Sequence, residues 1–110
     1  MVRPANFGFD PATADSNAFQ KETGLAADEV QARAIDEFDR AVYQLRAAGI
    51  DVLVYTDTAF PITPNAIFPN NWFSTHARGD VVALYPMETE SLRAERDPDV
   101  FRFLEADGLR

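Results

Sequence analysis

The stretch Pro64-Asn65-Ala66-Ile67-Phe68-Pro69-Asn70-Asn71-Trp72-Phe73-Ser74-Thr75-His76 is the most informative part of this chain. It combines three asparagines, two prolines, three aromatic rings and the only histidine of the sequence. A small polar ligand needs hydrogen-bond partners for its buried edges, and amides beside aromatic rings provide them. The alternative is a proline-bounded turn, in which asparagine side chains bond the local backbone, followed by an aromatic strand. Composition alone leaves both interpretations open.

Size and composition indicate one small globular domain. The chain has 110 residues, of which 46% are hydrophobic and 25% charged, a balance typical of folded rather than disordered proteins. Its net charge of −8 argues against a nucleic-acid backbone or an anionic membrane as the main partner, since both need a positive surface. A neutral or cationic small molecule remains compatible with this charge.

The missing residue types exclude several kinds of site within this sequence. There is no cysteine, which excludes disulfides, thiolate metal sites and a cysteine nucleophile among these residues. With a single histidine and no glycine-rich phosphate loop, we expect no metal and no organic cofactor. The first residues lack the pattern of a signal peptide, and no apolar run approaches the ~20 residues that span a bilayer, so we expect a cytoplasmic protein.

The N-terminal quarter is predicted to be largely irregular. Met1 to Arg3 has the character of a short strand ended by Pro4, which cannot donate to a ladder. From 6 to 27, glycine, proline and small polar residues follow no sustained period. Within this region, Ser16-Asn17-Ala18-Phe19-Gln20 is a second candidate contact loop. The alternative is a loop anchored by Phe19 packing beneath it.

The clearest element is a helix predicted over 28–48. Asp28 and Gln31 have the spacing of a capping box at its start, and Gly49 lies where a C-terminal cap belongs. We interpret this helix as scaffold. One apolar face is predicted at helical spacing: Val30, Ala34, Ile35, Phe38, Val42 and Leu45.

The second half of the chain is predicted to alternate strands and helices. The run 50–55 fits a strand buried on both faces. Two further strands, within 67–75 and 81–85, are predicted to form a hairpin through the turn at Ala77-Arg78-Gly79-Asp80, which we interpret as a turn rather than an adhesion motif. Asp97-Pro98-Asp99 begins a helix that Gly108 ends. The fold class is therefore predicted to be α/β, with a further strand expected where the sequence stops.

Several motifs together resemble a known protein family. The chain is similar to the N-terminal part of the citrulline-utilisation hydrolase group within the amidinotransferase and arginine deiminase superfamily. This resemblance implies the pentein fold, a five-bladed α/β propeller of repeated ββαβ units. It also implies that 1–110 is the N-terminal third of a single catalytic domain, truncated after its first part. The motifs that carry the resemblance are Phe68 to His76, Arg3 to Phe9, Asn17 to Gln20 and Leu84 to Met87.

The resemblance implies hydrolysis or transfer at a guanidino or ureido carbon. In this superfamily a cysteine attacks that carbon, a histidine acts as general acid and base, and acidic residues hold the substrate nitrogens. We expect both catalytic residues to lie beyond this chain and assign no catalytic residue within it. His76 is expected to be a hydrogen-bonded strand histidine rather than the catalytic one.

One departure from the family pattern bears on the substrate. Arginine deiminases carry Phe-x-Arg-Asp where this chain has Phe68, Asn70 and Asn71. A carboxylate suits a cationic guanidinium, whereas an amide both donates and accepts, as a neutral ureido group requires. The resemblance therefore predicts citrulline, or a relative of it, rather than arginine.

Further substrate contacts follow from the same resemblance. Asn65 matches another position near the substrate, and Arg93 or Arg96 matches the arginine that binds the substrate's α-carboxylate through a bidentate fork. The alternative for both arginines is ordinary solvated charge. The candidate substrate-binding residues are Asn17, Asn65, Phe68, Asn70, Asn71, Arg93 and Arg96.

Two other functions compete with the substrate-binding part of a hydrolase. One is an amino-acid-binding module without chemistry, because this chain contains no cysteine. The other is a structural pentein, as in a ribosome anti-association factor, although a scaffold gains nothing from burying amides. Because one propeller unit leaves a sheet edge unpaired, we also predict weak stability or self-association.

Overall fold

The computed structural model describes residues 1–18, 20–22, 24–76, 78 and 81–108, and these form a mixed α and β structure. Within those ranges, no helix combines the length and the apolar character needed to cross a bilayer. In chain order the elements are β1 (Val2–Arg3), a 3-10 turn (Pro11–Thr13), α1 (Ala27–Ala47), β2 (Tyr55–Thr56), a second 3-10 turn (Pro69–Asn71), β3 (Phe73–His76), β4 (Val81–Leu84), α2 (Glu90–Ala94) and α3 (Asp99–Ala106).

The first sheet pairs β1 with β2 in parallel, with α1 between them in the sequence. Val2 pairs with Tyr55 and Arg3 with Thr56. The predicted strand over 50–55 is largely wrong, because only its last residue joins the ladder. The pairing stays short since Pro4 follows β1 and has no N–H to continue it.

Helix α1 confirms the predicted helix but not its predicted cap. Its N-cap is Ala26, which offers no side chain to the free backbone N–H groups. The Gln31 amide instead bonds the N-terminal segment: its Oε1 accepts from the Phe7 N–H, and its Nε2 donates to the Pro4 carbonyl at 2.8 Å. The capping box is therefore wrong, because the loop competes for the same side chain. Gln31 attaches that loop to the helix.

The C-terminal end of α1 confirms the predicted glycine cap. The Gly49 N–H donates to the Arg46 carbonyl at 3.0 Å, and the Ile50 N–H donates to the Leu45 carbonyl at 3.0 Å. These two bonds form a Schellman motif, which needs a left-handed residue between them. Gly49 supplies it, with φ of +82°.

Replacing Gly49 with alanine is expected to lower the free energy of unfolding by about 1 kcal/mol, because a Cβ is strained at this φ. An added Cβ would meet no atom within 4 Å, so the cost comes from the backbone alone. Urea unfolding measures it. Gly8→Ala is the control, since Gly8 also has open space and lacks a positive φ. Equal effects of the two substitutions would contradict the cap assignment.

The second sheet is the predicted hairpin. β3 and β4 pair antiparallel, from Phe73 opposite Leu84 to His76 opposite Val81. Three residues of the predicted turn, Ala77, Gly79 and Asp80, lie outside the described residues, so the turn geometry stays a prediction.

The described residues form two separate apolar cores. The first joins Phe38 and Val42 of α1 to Val52, which precedes β2. The second joins Trp72 and Met87 to Val100 of α3, and Phe101 and Leu104 of the same helix pack against it. Helix α2 was not predicted, and its Leu92 packs against this second core. The described residues form two short sheets, and the five-bladed propeller stays a prediction.

Candidate functional site

A buried carboxylate, Asp10, joins the N-terminal loop to the asparagine-rich stretch and to α2. Its side chain is 4% exposed. Oδ1 accepts from the Ala12 N–H at 3.0 Å, while Oδ2 accepts from Ser91 Oγ at 2.8 Å and from Asn65 Nδ2 at 3.4 Å. Because these donors come from three separate segments, Asp10 fixes their relative positions.

Two successive turns carry the chain from the buried Asn65 to the surface. The Phe68 N–H donates to the Asn65 carbonyl at 3.0 Å, and the Asn71 N–H donates to the Phe68 carbonyl at 3.0 Å. Pro69 begins the second turn, as its fixed φ favours. The asparagines are thereby divided: Asn65 is 8% exposed, whereas Asn70 and Asn71 face solvent.

The exposed part of this stretch can recognise a small polar molecule. Asn70 Nδ2 donates to Asn71 Oδ1 at 3.5 Å, a long bond that a ligand could displace. Phe68 precedes them with 46% of its surface exposed. An aromatic ring beside two amides offers one apolar and two polar surfaces.

The second candidate loop is compact. The Asn17 N–H donates to the Thr13 carbonyl at 2.9 Å, and the Asn17 carbonyl accepts from the Gln20 N–H at 3.1 Å. Gln20 also donates to the Asp10 carbonyl at 2.7 Å, which attaches this loop to Asp10. Phe19 lies outside the described residues, so its predicted packing stays untested.

The two candidate arginines bond the segment before α2. Arg93 Nη1 donates to the carbonyls of Met87 and Glu88, each at 3.0 Å, and Arg96 Nη2 donates to the Tyr85 carbonyl. Both side chains are exposed. Each guanidinium has five N–H donors, so these contacts leave donors for a carboxylate. Their role toward a substrate stays a prediction.

A second buried carboxylate, Glu95, was missed by the sequence analysis. It is 5% exposed, and neither oxygen has a hydrogen-bond partner within the described part of the chain. Burial, followed by the smaller effect of the charges of Asp10 and Asp57, raises the pKa of Glu95 to about 7. It lies between Arg93 and Arg96 in the sequence, for which solvated charge was the alternative interpretation. Glu95 directly follows α2, three positions after Leu92, whose side chain packs against the second core.

The single histidine lies on β3 and is hydrogen-bonded, as predicted. His76 Nε2 bonds Ser74 Oγ at 2.8 Å, and Ser74 Oγ also bonds the Tyr85 hydroxyl across the hairpin. Within the described part of the chain, no group of three or more His, Asp or Glu side chains is placed to hold a metal ion.

Comparison with models of known protein families gives a match over almost the whole chain. A family model described as "N,N dimethylarginine dimethylhydrolase, eukaryotic" matches residues 3–110. That family is a member of the pentein superfamily, so the superfamily resemblance is confirmed, while the citrulline-utilisation group and the N-terminal-third assignment stay predictions. No curated protein and no solved structure matches the chain.

Proposed function

The chain belongs to the N,N-dimethylarginine dimethylhydrolase family, and from this premise we propose that it forms the substrate-binding part of a hydrolase. The bond cleaved is a C–N bond in the guanidino or ureido group of an arginine derivative. The sequence contains no cysteine, so the nucleophile of the superfamily mechanism would come from residues outside it, as would the catalytic histidine.

The observation that supports this function is the exposed amide pair Asn70 and Asn71 beside the exposed ring of Phe68. A neutral ureido group has N–H donors and a carbonyl acceptor. An amide side chain can hydrogen-bond with both, because it accepts through its oxygen and donates through its nitrogen. An ionised carboxylate only accepts. We therefore propose citrulline, or a close relative, as the molecule bound.

The remaining candidate residues would support and complete this site. Asn65, held by Asp10, fixes the turn from which Asn71 projects. Arg93 and Arg96 would bind the α-carboxylate with the donors that their backbone contacts leave available. Asn17 would approach from the loop that Gln20 attaches to Asp10.

A second candidate is a binding module that holds the same amino acid without chemistry. The lack of cysteine among these 110 residues favours it. Both candidates require citrulline to bind, and a structural pentein does not. Isothermal titration of the chain with citrulline therefore distinguishes the two citrulline-binding candidates from a structural pentein, for which no heat of binding is expected.

Exchanging Asn71 for aspartate is expected to shift preference from citrulline toward dimethylarginine by about tenfold, because the new carboxylate attracts a cation and repels a carbonyl oxygen. Calorimetric titration of both ligands with both proteins measures the shift. Gln44→Glu is the control, since it makes the same charge change on the exposed face of α1. A wild type that prefers the cation, or equal shifts in both variants, would contradict the proposal.

A further inference from the structure

The hairpin carries three hydrogen-bonded side chains that the proposed function does not use. Ser74 Oγ lies 2.8 Å from His76 Nε2 and 2.5 Å from the Tyr85 hydroxyl. His76 and Tyr85 are exposed and Ser74 is half-buried, so the group is open to solvent. A hydroxyl within about 2.6–3.2 Å of a histidine nitrogen has the geometry of a nucleophile and its base. All three side chains can therefore act on one molecule that approaches from solvent.

The register of the hairpin puts these side chains on one face of the sheet. Ser74 pairs with Ala83, and His76 pairs with Val81. Tyr85 follows β4 directly, two positions after Ala83. Directly opposed residues, and residues two apart along a strand, project from the same face of a sheet. The hydroxyl, the imidazole and the phenol therefore share that face with two apolar side chains of β4.

Ala83 leaves open space beside the serine. Its side chain is a single methyl group, whereas its neighbours on this face of β4 are the larger Val81 and Tyr85. Across the hairpin, the same space is bounded by Ser74 and His76. Val81 is 49% exposed and forms an apolar wall. A short acyl group fits this position better than a bulky one.

The two hydrogen bonds decide how the protons are shared in the reactive form. A serine hydroxyl has one proton to donate, and a neutral imidazole has one nitrogen that accepts. In the tautomer with Nδ1 protonated, Ser74 donates to His76 Nε2, and the Tyr85 hydroxyl donates to Ser74 Oγ. One hydrogen bond thus orients the hydroxyl, and the other directs its proton at a base.

We propose that Ser74 is the nucleophile of an esterase site for activated esters of short acyl groups, with His76 as its general base. Ser74 Oγ bonds the carbonyl carbon while its proton moves to His76 Nε2. The ester C–O bond then breaks, and the leaving oxygen takes that proton. Water next attacks the acyl-serine and gives a proton to His76 Nε2, which passes it to Ser74 Oγ as the acid is released. The Tyr85 hydroxyl donates to the carbonyl oxygen while negative charge develops there.

This activity is separate from the proposed cleavage of a guanidino or ureido C–N bond. It uses neither of the exposed asparagines Asn70 and Asn71. Its histidine is also not the catalytic histidine of the superfamily mechanism, which would come from residues outside this sequence. Loss of one activity by substitution therefore leaves the other to be measured.

The test is hydrolysis of p-nitrophenyl acetate by the full chain, followed through p-nitrophenolate release. A large excess of ester separates turnover from single acetylation of Lys21 and the N-terminal amine. Ser74→Ala is expected to abolish turnover. His76→Gln keeps a hydrogen-bonding side chain that cannot take a proton, so the rate should fall about a hundredfold or more. Tyr85→Phe should lower the rate about tenfold, because it removes one hydrogen bond to a developing charge.

Thr75→Ala is the matched control, since it removes a neighbouring hydroxyl that projects from the opposite face of β3. It should keep the wild-type rate. A fluorophosphonate, which forms a stable phosphonyl-serine with loss of fluoride, locates the nucleophile, and peptide mass mapping should find the adduct on Ser74. The proposal would be overturned by a wild type without turnover, by an adduct elsewhere in place of Ser74, by an unchanged rate in Ser74→Ala or His76→Gln, or by an equal loss in Thr75→Ala.

Discussion

Replacing Trp72 with alanine is expected to lower the free energy of unfolding by about 3–5 kcal/mol, the range found for large aromatic residues in cores. Trp72 is 3% exposed and forms one core with Met87 and Val100. Its ring lies 4.5 Å from that of Phe73 and 5.5 Å from that of Phe101, measured between ring centroids. The substitution therefore removes contacts to β3 and α3 together. The total free energy of unfolding of a small domain is about 5–15 kcal/mol, so this variant would be close to unfolding.

Chemical denaturation monitored by circular dichroism measures this loss, since the variant has no tryptophan fluorescence. Phe68→Ala is the matched control: it also replaces an aromatic residue of the same stretch, but 46% of Phe68 is exposed. It should lower the free energy of unfolding by about 1 kcal/mol or less. If both variants lost equal stability, Trp72 would not be the centre of the second core.

Stability is expected to fall as the pH rises from about 5 to 8, because of Glu95. Its pKa is about 7 in the folded chain, raised from an ordinary value of 4.5 mainly by burial. Below 4.5 the carboxyl is protonated in both states, so the full stability is present. Between the two values the unfolded chain releases its proton while the folded chain keeps it, and stability is lost as the pH rises through the folded pKa. We expect a loss of about 2 kcal/mol.

Urea unfolding of wild type and Glu95→Gln at pH 5 and pH 8 measures this contribution. The variant cannot ionise, so its stability should change less with pH, and at pH 8 it should exceed that of wild type. Glu90→Gln removes the same charge from an exposed position, and its stability should change with pH as much as that of wild type. Parallel pH profiles for wild type and Glu95→Gln would show that Glu95 is not the group responsible.

Local signals in the sequence were sufficient for much of the fold. Apolar spacing along 28–48 predicted α1, and the glycine at its end predicted the cap. Two apolar strands joined by a glycine-containing turn predicted the hairpin, and Asp97-Pro98 predicted the start of α3, where Asp97 Oδ1 accepts from the Asp99 N–H. These features depend on residues close together in the chain, which is why a single sequence reveals them.

Features that depend on distant residues were not predicted. Gln31 has the spacing of a cap, yet it bonds a loop more than twenty positions away. Asp10 appeared to be an ordinary loop residue, although it joins Asn65 and Ser91. Glu95 lies between two arginines and was not singled out in the sequence, although tertiary packing buries it. The asparagines of the candidate site were identified by resemblance to a family, and their division between interior and surface required the structure.

The parallel pairing of Val2 with Tyr55 has a consequence for the order of folding during synthesis. β1 leaves the ribosome first, but its hydrogen-bonding partner is not available until the whole of α1 and the following segment have emerged. Helix α1 depends on local contacts and can form earlier, whereas the strand must wait for loop closure. During that interval Val2 remains without the neighbour that later covers it. In the growing chain the exposure of Val2 therefore ends only once β2 has emerged and joined β1.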